Sequence, residues 1–158
     1  MGNYLMEFTI SLATLDDVQL LTEHRIRMWI ALRPELNTQA NQMATLTREW
    51  INKMFSEGRL RGFIAKTESG EIAGSGCVWI REEPPRFVGS RLLGPYLMSM
   101  FTEEPFRRKG VATLIAKKAI EWCKQQGYPV ISLHASEAGA AVYERLGFER
   151  SPEMRLWL

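Results

Sequence analysis

The sequence has no strong excess of either charge and no long apolar segment. Its 158 residues include 20 Lys and Arg against 18 Asp and Glu, which gives a formal net charge of +2. A nucleic-acid-binding protein usually carries a basic face, so this balance disfavours nucleic acid as a partner. The apolar runs are far shorter than the roughly 20 residues that span a membrane. The first residues, which include Asn3 and Glu7, do not resemble a signal peptide. We therefore expect a cytoplasmic protein that does not bind membranes.

Cysteine and histidine are also scarce, with two of each. Cys77 and Cys123 are far apart, one in a predicted strand and one in a predicted helix. We expect both to be reduced thiols packed among apolar side chains. His24 and His134 are equally isolated. Because a metal site needs several ligands brought together, the sequence predicts none.

The composition that remains is that of an ordinary globular protein. Hydrophobic residues make up 46% of the chain and charged residues 24%. A chain of this length can bury a core of its own. We expect residues 1–158 to form a single domain.

Hydrophobic periodicity and turn residues predict the order β-α-α-β-β-β-α-β-α-β, a mixed α/β sheet with helices on both faces. The first helix begins near Thr14 and ends at Pro34. Gly74 and Gly76 predict a bulge or a close backbone approach within a strand. The remaining predictions are strands at 8–12, 61–67, 72–80, 97–102, 129–134 and 148–158, helices at about 46–58, 110–126 and 137–146, and a mobile loop at 81–94.

The most informative stretch runs from residue 97 to residue 126. An apolar strand is followed by a basic turn of Arg107, Arg108, Lys109 and Gly110, and apolar residues then recur at helical spacing. The first turn of a helix has N–H groups without internal partners and a partial positive charge. Glycine lets an anion approach the backbone, and the basic side chains add full charges. The turn therefore predicts a diphosphate site, although such a basic run can also be a solvated surface.

The turn lacks the glycines of a P-loop or of a dinucleotide-binding fingerprint. Arg107-x-x-Gly110-x-Ala112 resembles instead the [QR]-x-x-G-x-[GA] signature of the GNAT superfamily, the acetyl-CoA-dependent N-acetyltransferases. Residues 141–148, AVYERLGF, are similar to the A-x-x-L-Y-E-K-L-G-F segment of that family. The resemblance is specific over residues 94–158 and architectural before them.

This resemblance implies a GNAT-like α/β fold, with a mixed, mostly antiparallel central sheet and helices on both faces. It also implies acetyl-CoA as co-substrate and no metal. The end of the strand would pair with the pantetheine arm, and the amides of residues 108–113 would hold the diphosphate. The sequence departs from the family at Glu104, usually proline, and at Ser136, usually an asparagine near the pantetheine. The cofactor-binding residues predicted in this way are Met100, Phe101, Thr102, Arg107, Arg108, Lys109, Gly110, Val111, Ala112, Thr113 and Ser136.

The reaction that the resemblance implies is direct attack of an amine on the acetyl thioester, without a covalent enzyme intermediate. It needs a neutral amine, stabilisation of the oxyanion and a proton for the leaving thiolate. Tyr143 falls on the family's catalytic tyrosine and is the predicted acid, the alternative being a tyrosine packed under the sheet. The general base stays open among Glu23, Glu103, Glu104 and a water chain. His134 is expected to be a hydrogen-bonded core residue rather than a base.

In GNAT folds the two early helices form the acceptor side, where Trp29, Arg33 and Trp50 could lie. The simpler interpretation places both tryptophans in the core. The loop at 81–94 is expected to fold over this side. By resemblance, the acceptor would be a small-molecule amine or a protein amino group, and homodimers are common in the superfamily.

Two other functions stay open on the sequence alone. One is a non-catalytic acyl-CoA-binding sensor or interaction domain, which loss of the tyrosine at position 143 would favour; that tyrosine is present. The other is a protein that binds RNA or another polyanion through the basic turn. The interleaved aromatic and basic residues expected for the latter are missing.

Overall fold

The computed structural model describes residues 7–85 and 92–157. Within these residues the strands are β1 (Phe8–Leu12), β2 (Leu60–Thr67), β3 (Ile72–Glu82), β4 (Leu93–Thr102) and β5 (Ser132–Leu133). The helices are α1 (Val18–Leu32), α2 (Ala40–Ser56), α3 (Val111–Gln125) and α4 (Ala140–Arg145). Short 3-10 turns precede α1, α2 and α3.

The strands form one sheet in the order β1-β2-β3-β4-β5. Neighbouring strands are antiparallel except for β4 and β5, which pair in parallel through Tyr96 with Ser132 and Leu97 with Leu133. A parallel pair needs a crossover connection, and α3 lies in the connection here. The sheet is therefore mixed and mostly antiparallel, as the resemblance predicted.

Helices cover both faces of the sheet, which confirms the predicted layers. On one face α3 contributes Ile115 to a core that includes Val78 and Leu97. On the other face a second core joins Leu21 of α1 to Cys77, together with residues of α2. Because successive side chains of a strand point to opposite faces, adjacent residues such as Cys77 and Val78 belong to different cores.

The first helix begins at the predicted capping signal. The N–H of Thr14 donates to the Asp17 carboxylate at 2.8 Å, and the N–H of Asp16 donates to the Thr14 hydroxyl at 3.3 Å. This capping box closes a 3-10 turn that leads directly into α1. The helix ends at Leu32 because Pro34 cannot donate the next hydrogen bond.

A bulge in β4 accounts for the two glycines in β3. The register between the strands shifts opposite Gly76, and Ser99 lies in the bulge with a left-handed φ of 55°. A Cβ on Gly74 would lie 2.5 Å from the carbonyl oxygen of Phe101, and a Cβ on Gly76 would overlap the sulfur of Met100. The predicted close backbone approach is confirmed.

The predictions near the C-terminus are less accurate. The predicted strand at 129–134 forms pairs only over Ser132–Leu133, and no strand forms within residues 148–157. The predicted closing strand is therefore wrong for the part of it that the structure describes. Met154 and Leu156 alternate with Glu153 and Arg155 in the period of a strand, but their side chains are exposed. Most of the predicted mobile loop, residues 86–91, lies outside the described residues.

Both cysteines are buried and free, as predicted, and burial raises the pKa of each thiol to about 12. In the described part of the chain, no helix has the length and apolarity needed to cross a membrane. The residues at 7–85 and 92–157 also contain no group of three or more His, Cys, Asp or Glu side chains arranged to hold a metal ion.

Candidate active site

The sheet opens where β4 and β5 separate. The two strands pair only at Tyr96 and Leu97 of β4. Beyond this point, the outer edge of β4 at residues 98–102 has no neighbouring strand in the described ranges. Unpaired main-chain N–H and C=O groups can form hydrogen bonds with an extended ligand, as an added strand would.

A cavity of about 1190 Å³ fills this opening and reaches the inner sides of α1 and α2. The predicted site residues that line it are Met100, Phe101, Thr102, Arg107, Ser136 and Tyr143. The structure thus brings together the end of β4, the beginning of the basic turn and the segment around α4. The other predicted residues, 108–113, follow in the chain without lining the cavity.

The basic turn has a backbone suited to an anion. Arg108 and Gly110 both have left-handed φ angles, of 60° and 84°. Helix α3 then begins at Val111, and no side chain caps its first N–H groups. A Cβ on Gly110 would meet nothing within 4 Å, so the space beside it is open. Uncapped amides at the positive end of a helix favour a negatively charged ligand.

The side chains of the turn differ in what they can contact. Arg107 is exposed and its Nε donates to the carbonyl oxygen of Thr102 at 3.3 Å. Lys109 is also exposed and lies over the ring of Phe106. The side chain of Val111 is buried in the core on the α3 face, so only its main chain is available to a ligand.

Tyr143 projects from α4 and lines the cavity while its ring packs against the core on the α3 face. The ring meets that of Phe148 edge to face, with centroids 5.8 Å apart. Burial raises the pKa of the phenol to about 12, so the hydroxyl keeps its proton at neutral pH. No described residue forms a hydrogen bond with that hydroxyl. The tyrosine is therefore both packed and open to the cavity.

Ser136 holds the start of α4. Its hydroxyl accepts a hydrogen bond from the N–H of Gly139 at 3.1 Å. Its carbonyl oxygen accepts from the N–H groups of Gly139 and Ala140, at 3.0 Å and 2.9 Å. Because α4 carries Tyr143, Ser136 positions the tyrosine as well as lining the cavity.

The expectation that His134 is a covered core residue is wrong. Its side chain is 40% exposed and lines the cavity directly after β5. Nδ1 lies 2.5 Å from the hydroxyl of Tyr96, and Nε2 lies 2.6 Å from the carboxylate of Glu153. The ionised carboxylate can only accept, so Nε2 carries the proton and Nδ1 accepts from the tyrosine. The sequence did not indicate this series of hydrogen bonds from Tyr96 through His134 to Glu153, because Glu153 lies in a segment predicted to be a strand.

The acidic candidates for the general base do not line the cavity. The Glu103 carboxylate binds Arg27 at 2.6 Å and 2.7 Å and lies 3.1 Å from His24. These contacts lower its pKa, with the Arg27 hydrogen bond as the main cause. Glu23 and Glu104 are exposed to solvent. His24 is fully buried and also contacts the Ser75 hydroxyl at 2.8 Å, so it joins α1 to β3 and to the end of β4.

The wall opposite the basic turn is aromatic. Trp29 and Trp50 both line the cavity, whereas Arg33 does not and pairs with Glu35 at 2.9 Å. Trp50 also packs against the core on the face of α1 and α2, so the core interpretation is correct for Trp50. It is wrong for Trp29, which is 41% exposed. Sequence reasoning missed Arg25 on this wall. The signal was present, since residues 25, 29 and 32 have the spacing of one helix face.

Comparison with known proteins gives a family match over most of the chain. The model of the acetyltransferase (GNAT) family matches residues 21–148. Among curated proteins, the chain is similar to an uncharacterized N-acetyltransferase of Methanocaldococcus jannaschii, with 27% identity over 115 residues. The matched region covers 69% of this chain and 48% of that protein, so the chain spans about half the length of this relative.

Solved structures match the whole fold at low identity. One is a predicted acetyltransferase with acetyl-CoA from Clostridium acetobutylicum, with a TM-score of 0.81, 23% identity and 96% of each chain covered. Another is a GCN5-related N-acetyltransferase from Ralstonia eutropha, with a TM-score of 0.81 and 21% identity. This match covers 96% of this chain and 99% of that one. At these identities the likeness shows the fold.

Proposed function

Because the chain belongs to the acetyltransferase (GNAT) family, we propose that it transfers the acetyl group of acetyl-CoA directly to an amine. The amine would belong to a small molecule or to a protein. The observation that carries this proposal is one continuous cavity bordered by the free edge of β4, Arg107 of the basic turn and Tyr143. An acyl donor and an acceptor need such a shared space if they are to react without a covalent enzyme intermediate.

The residues present fit the cofactor at both of its polar regions. The free edge of β4 at Met100, Phe101 and Thr102 offers main-chain groups to the amides of the pantetheine arm. The uncapped amides that follow Gly110 offer donors to the diphosphate, and Arg107, Arg108 and Lys109 add positive charge. When bound, acetyl-CoA supplies the activated acetyl group. The acetyl-CoA in the Clostridium acetobutylicum structure supports this choice of co-substrate.

We assign the role of general base to His134, acting through Tyr96. Among the described residues that line the cavity, the titratable groups are arginines, tyrosines and this single histidine. Of these side-chain types, histidine is the one that most often serves as a general base. The amine would pass a proton to the Tyr96 oxygen as the tyrosine's own proton moves to Nδ1 of His134. Glu153 then stabilises the imidazolium through Nε2.

Tyr143 is the proposed general acid. It enters the cavity from the opposite face of the sheet to the base, because Tyr143 packs on the α3 face whereas Tyr96 contacts Trp79, which belongs to the α1 and α2 face. An amine that attacks the thioester from the side of Tyr96 would drive the leaving thiolate toward the side of Tyr143. As the C–S bond breaks, the phenol would give its proton to sulfur.

Calorimetric titration with acetyl-CoA, followed by release of CoA thiol in the presence of amines, tests the proposal. We expect acetyl-CoA to bind and at least one primary amine to accelerate thiol release. ATP serves as a comparison ligand, because it shares the polyphosphate without the pantetheine arm. Failure of acetyl-CoA to bind would overturn the proposed function.

The proposed base can be tested separately from the cofactor site. We expect His134→Gln and Tyr96→Phe each to lower kcat by about 10² or more, since each interrupts the same proton path. Acetyl-CoA affinity should stay close to that of the unmodified protein. If both variants keep the original kcat, the base lies elsewhere.

A further inference from the structure

The acceptor side of the cavity contains a cation that has no anionic partner among residues 7–85 and 92–157. Arg25 of α1 lines the cavity, and its Nη1 donates to the Ser99 hydroxyl at 2.9 Å. Its guanidinium also lies 5.9 Å from the ring centroid of Trp29. A guanidinium has five N–H donors, and the Ser99 hydroxyl is the one side-chain acceptor that the described residues offer to Arg25. Because Arg25 lines the cavity, a carboxylate of a ligand can accept from the remaining donors in the paired geometry that a guanidinium favours.

The other arginines near the site pair with a carboxylate or, in the case of Arg107, donate to the carbonyl oxygen of Thr102 beside the proposed diphosphate site. Arg27 of the same helix and Arg33, directly after the helix, bind Glu103 and Glu35. Arg155, also in the cavity wall, binds Glu153 at 3.0 Å. Arg25 forms no ion pair with any described residue. The segments outside the described ranges, MGNYLM, RFVGSR and the final leucine, contain no aspartate or glutamate that could pair with it.

A second donor in the same wall also lacks an acceptor. The indole N–H of Trp79 is buried, and no described residue accepts a hydrogen bond from it. Trp79 lines the cavity and its ring meets those of Trp50 and Tyr96. Buried polar groups are normally paired, and an unpaired one at a cavity wall indicates a position where a ligand can accept.

The part of the cavity wall that the structure describes carries no carboxylate side chain. None of the described residues that line it is an aspartate or glutamate. Cationic acceptors such as polyamines, aminoglycosides and lysine-rich peptides need negative groups to hold the amines that do not react. The surroundings are instead apolar and aromatic, with Met28, Trp29, Trp50, Trp79 and Met98 in the wall.

From these observations we infer that the acceptor is an amine that also carries a carboxylate and a large apolar body, as in a free aromatic or large aliphatic α-amino acid. Arg25 binds the carboxylate, and the aromatic wall holds the side chain. Arg25 and Tyr96 line the same cavity, and Arg25 binds Ser99, three residues from Tyr96 on β4. A carboxylate at Arg25 therefore leaves the adjacent amine on the side of the proposed proton acceptor. This inference rests on the proposed acetyl transfer, because that reaction makes the amine the acceptor. Binding of a carboxylate by Arg25 can be measured without any acetyl transfer.

The kinetic test compares L-phenylalanine with 2-phenylethylamine, which differ only in the carboxylate, and with spermidine as a polycation. We expect kcat/KM to favour phenylalanine by about tenfold or more, because the amine without a carboxylate leaves Arg25 unpaired. Arg25→Met should abolish this preference, and Arg25→Lys, which keeps the charge without the planar fork, should retain part of it. Arg33→Met, directly after the same helix and outside the cavity wall, is the matched control and should leave the preference unchanged.

A binding test gives an answer that does not depend on catalysis. We expect 3-phenylpropanoate, which has the ring and carboxylate but no amine, to quench the tryptophan fluorescence of the intact protein. Its Kd should rise about tenfold or more in Arg25→Met and stay the same in Arg33→Met, with thermal melting used to confirm that both variants fold. Arg25→Lys provides the comparison if Arg25→Met does not fold.

The outcomes separate this inference from the proposed function. Equal or better use of 2-phenylethylamine or spermidine, or a preference that survives in Arg25→Met, would overturn the assignment of the acceptor. If no amine is acetylated, the binding of 3-phenylpropanoate decides whether the inference stands. Absence of binding to the intact protein overturns the inference, whereas binding that depends on Arg25 supports it. Failure to bind acetyl-CoA contradicts the proposed function alone.

Discussion

At the scale of single residues, Tyr143 and Gly110 allow the proposed chemistry and the proposed cofactor binding to be tested separately. Tyr143 holds a proton on a phenol that no described residue engages, and burial raises its pKa to about 12. Gly110 has a left-handed φ of 84° and open space where a side chain would project. A substitution that removes the Tyr143 hydroxyl is expected to change the rate while keeping the shape of the site. A side chain added at Gly110 is expected to block cofactor binding without contacting the reacting atoms.

Tyr143→Phe removes only the hydroxyl and keeps the ring that packs against Phe148. We expect kcat to fall by about 10²–10⁴, the usual contribution of a general acid, with little change in the Kd of acetyl-CoA. Tyr128→Phe, the same change at a tyrosine outside the cavity wall, should leave both constants unchanged. An unaltered kcat in Tyr143→Phe would remove the phenol from the mechanism.

Gly110→Glu places a side chain and a negative charge where the diphosphate is expected. We expect acetyl-CoA binding to become undetectable by calorimetry. Gly70→Glu is a matched control, since Gly70 has a φ of 86° and nothing within 4 Å of an added Cβ, but lies in the turn between β2 and β3. Both variants should lose similar stability because both hold a non-glycine residue at left-handed φ. Retained binding in Gly110→Glu would place the diphosphate elsewhere.

At the scale of secondary structure, the bulge in β4 is the feature that shapes the site. It places Ser99 at a left-handed φ of 55° next to the point where β4 leaves β5. The hydroxyl of Ser99 also holds Arg25 of α1. The bulge therefore connects the free edge of the strand to the acceptor wall, and its geometry depends on a single unusual backbone conformation.

Replacing Ser99 by glycine or alanine tests that conformation. Both changes remove the hydroxyl, but alanine must adopt the left-handed φ, which costs an L-residue about 1–2 kcal/mol. We expect Ser99→Gly to be more stable than Ser99→Ala by about 1 kcal/mol in denaturant unfolding. This is the reverse of the order in a regular strand, where glycine is the less stable residue. The ordinary order would mean that the bulge does not hold in solution.

At the scale of the whole molecule, a buried polar network joins the helical layer to the sheet. His24 of α1 contacts Ser75 of β3 on one side and Glu103 on the other. Arg27 binds the same carboxylate, and the exposed Glu23 lies close enough to act on the charge of the imidazole. Burial is the main cause that lowers the pKa of His24 below 6.5, and Glu103 opposes it. The network therefore makes the stability of the fold sensitive to acid.

We expect the melting temperature to fall as the pH decreases below about 6.5, because the unfolded chain then binds a proton that folded His24 resists. Glu103 causes a further loss of stability below about pH 4.5, because the hydrogen bond from Arg27 lowers the pKa of the Glu103 carboxyl in the folded state. His24→Gln should be less stable at neutral pH but should lose less stability between pH 7 and pH 5. The same decrease in both proteins would exclude His24 as the source.

Local patterns in the sequence predicted the order of most elements and the position of the basic turn before α3. Strand alternation, helical spacing, the Thr14 capping signal and the basic turn before Val111 each involve residues within one or two turns of chain. Gly74 and Gly76 also predicted the close approach of β4 to β3. These features follow from backbone sterics and hydrogen bonding between near neighbours, which a sequence displays directly.

Only the tertiary structure decided which side chains meet in the cavity. The alternation at 148–158 imitates a strand, but no strand pairs with the described part of that segment, and Glu153 contacts His134 instead. Arg25 and Ser99, 74 positions apart, come together because α1 packs over the bulge. The sequence predicted the elements because their periodicity, capping residues and turn residues lie close together in the chain. The packing of those elements brought Glu153 to His134, left Arg25 without an anionic partner among the described residues and formed the aromatic wall of the cavity. Burial and pairing of charges exist only after distant segments are in contact.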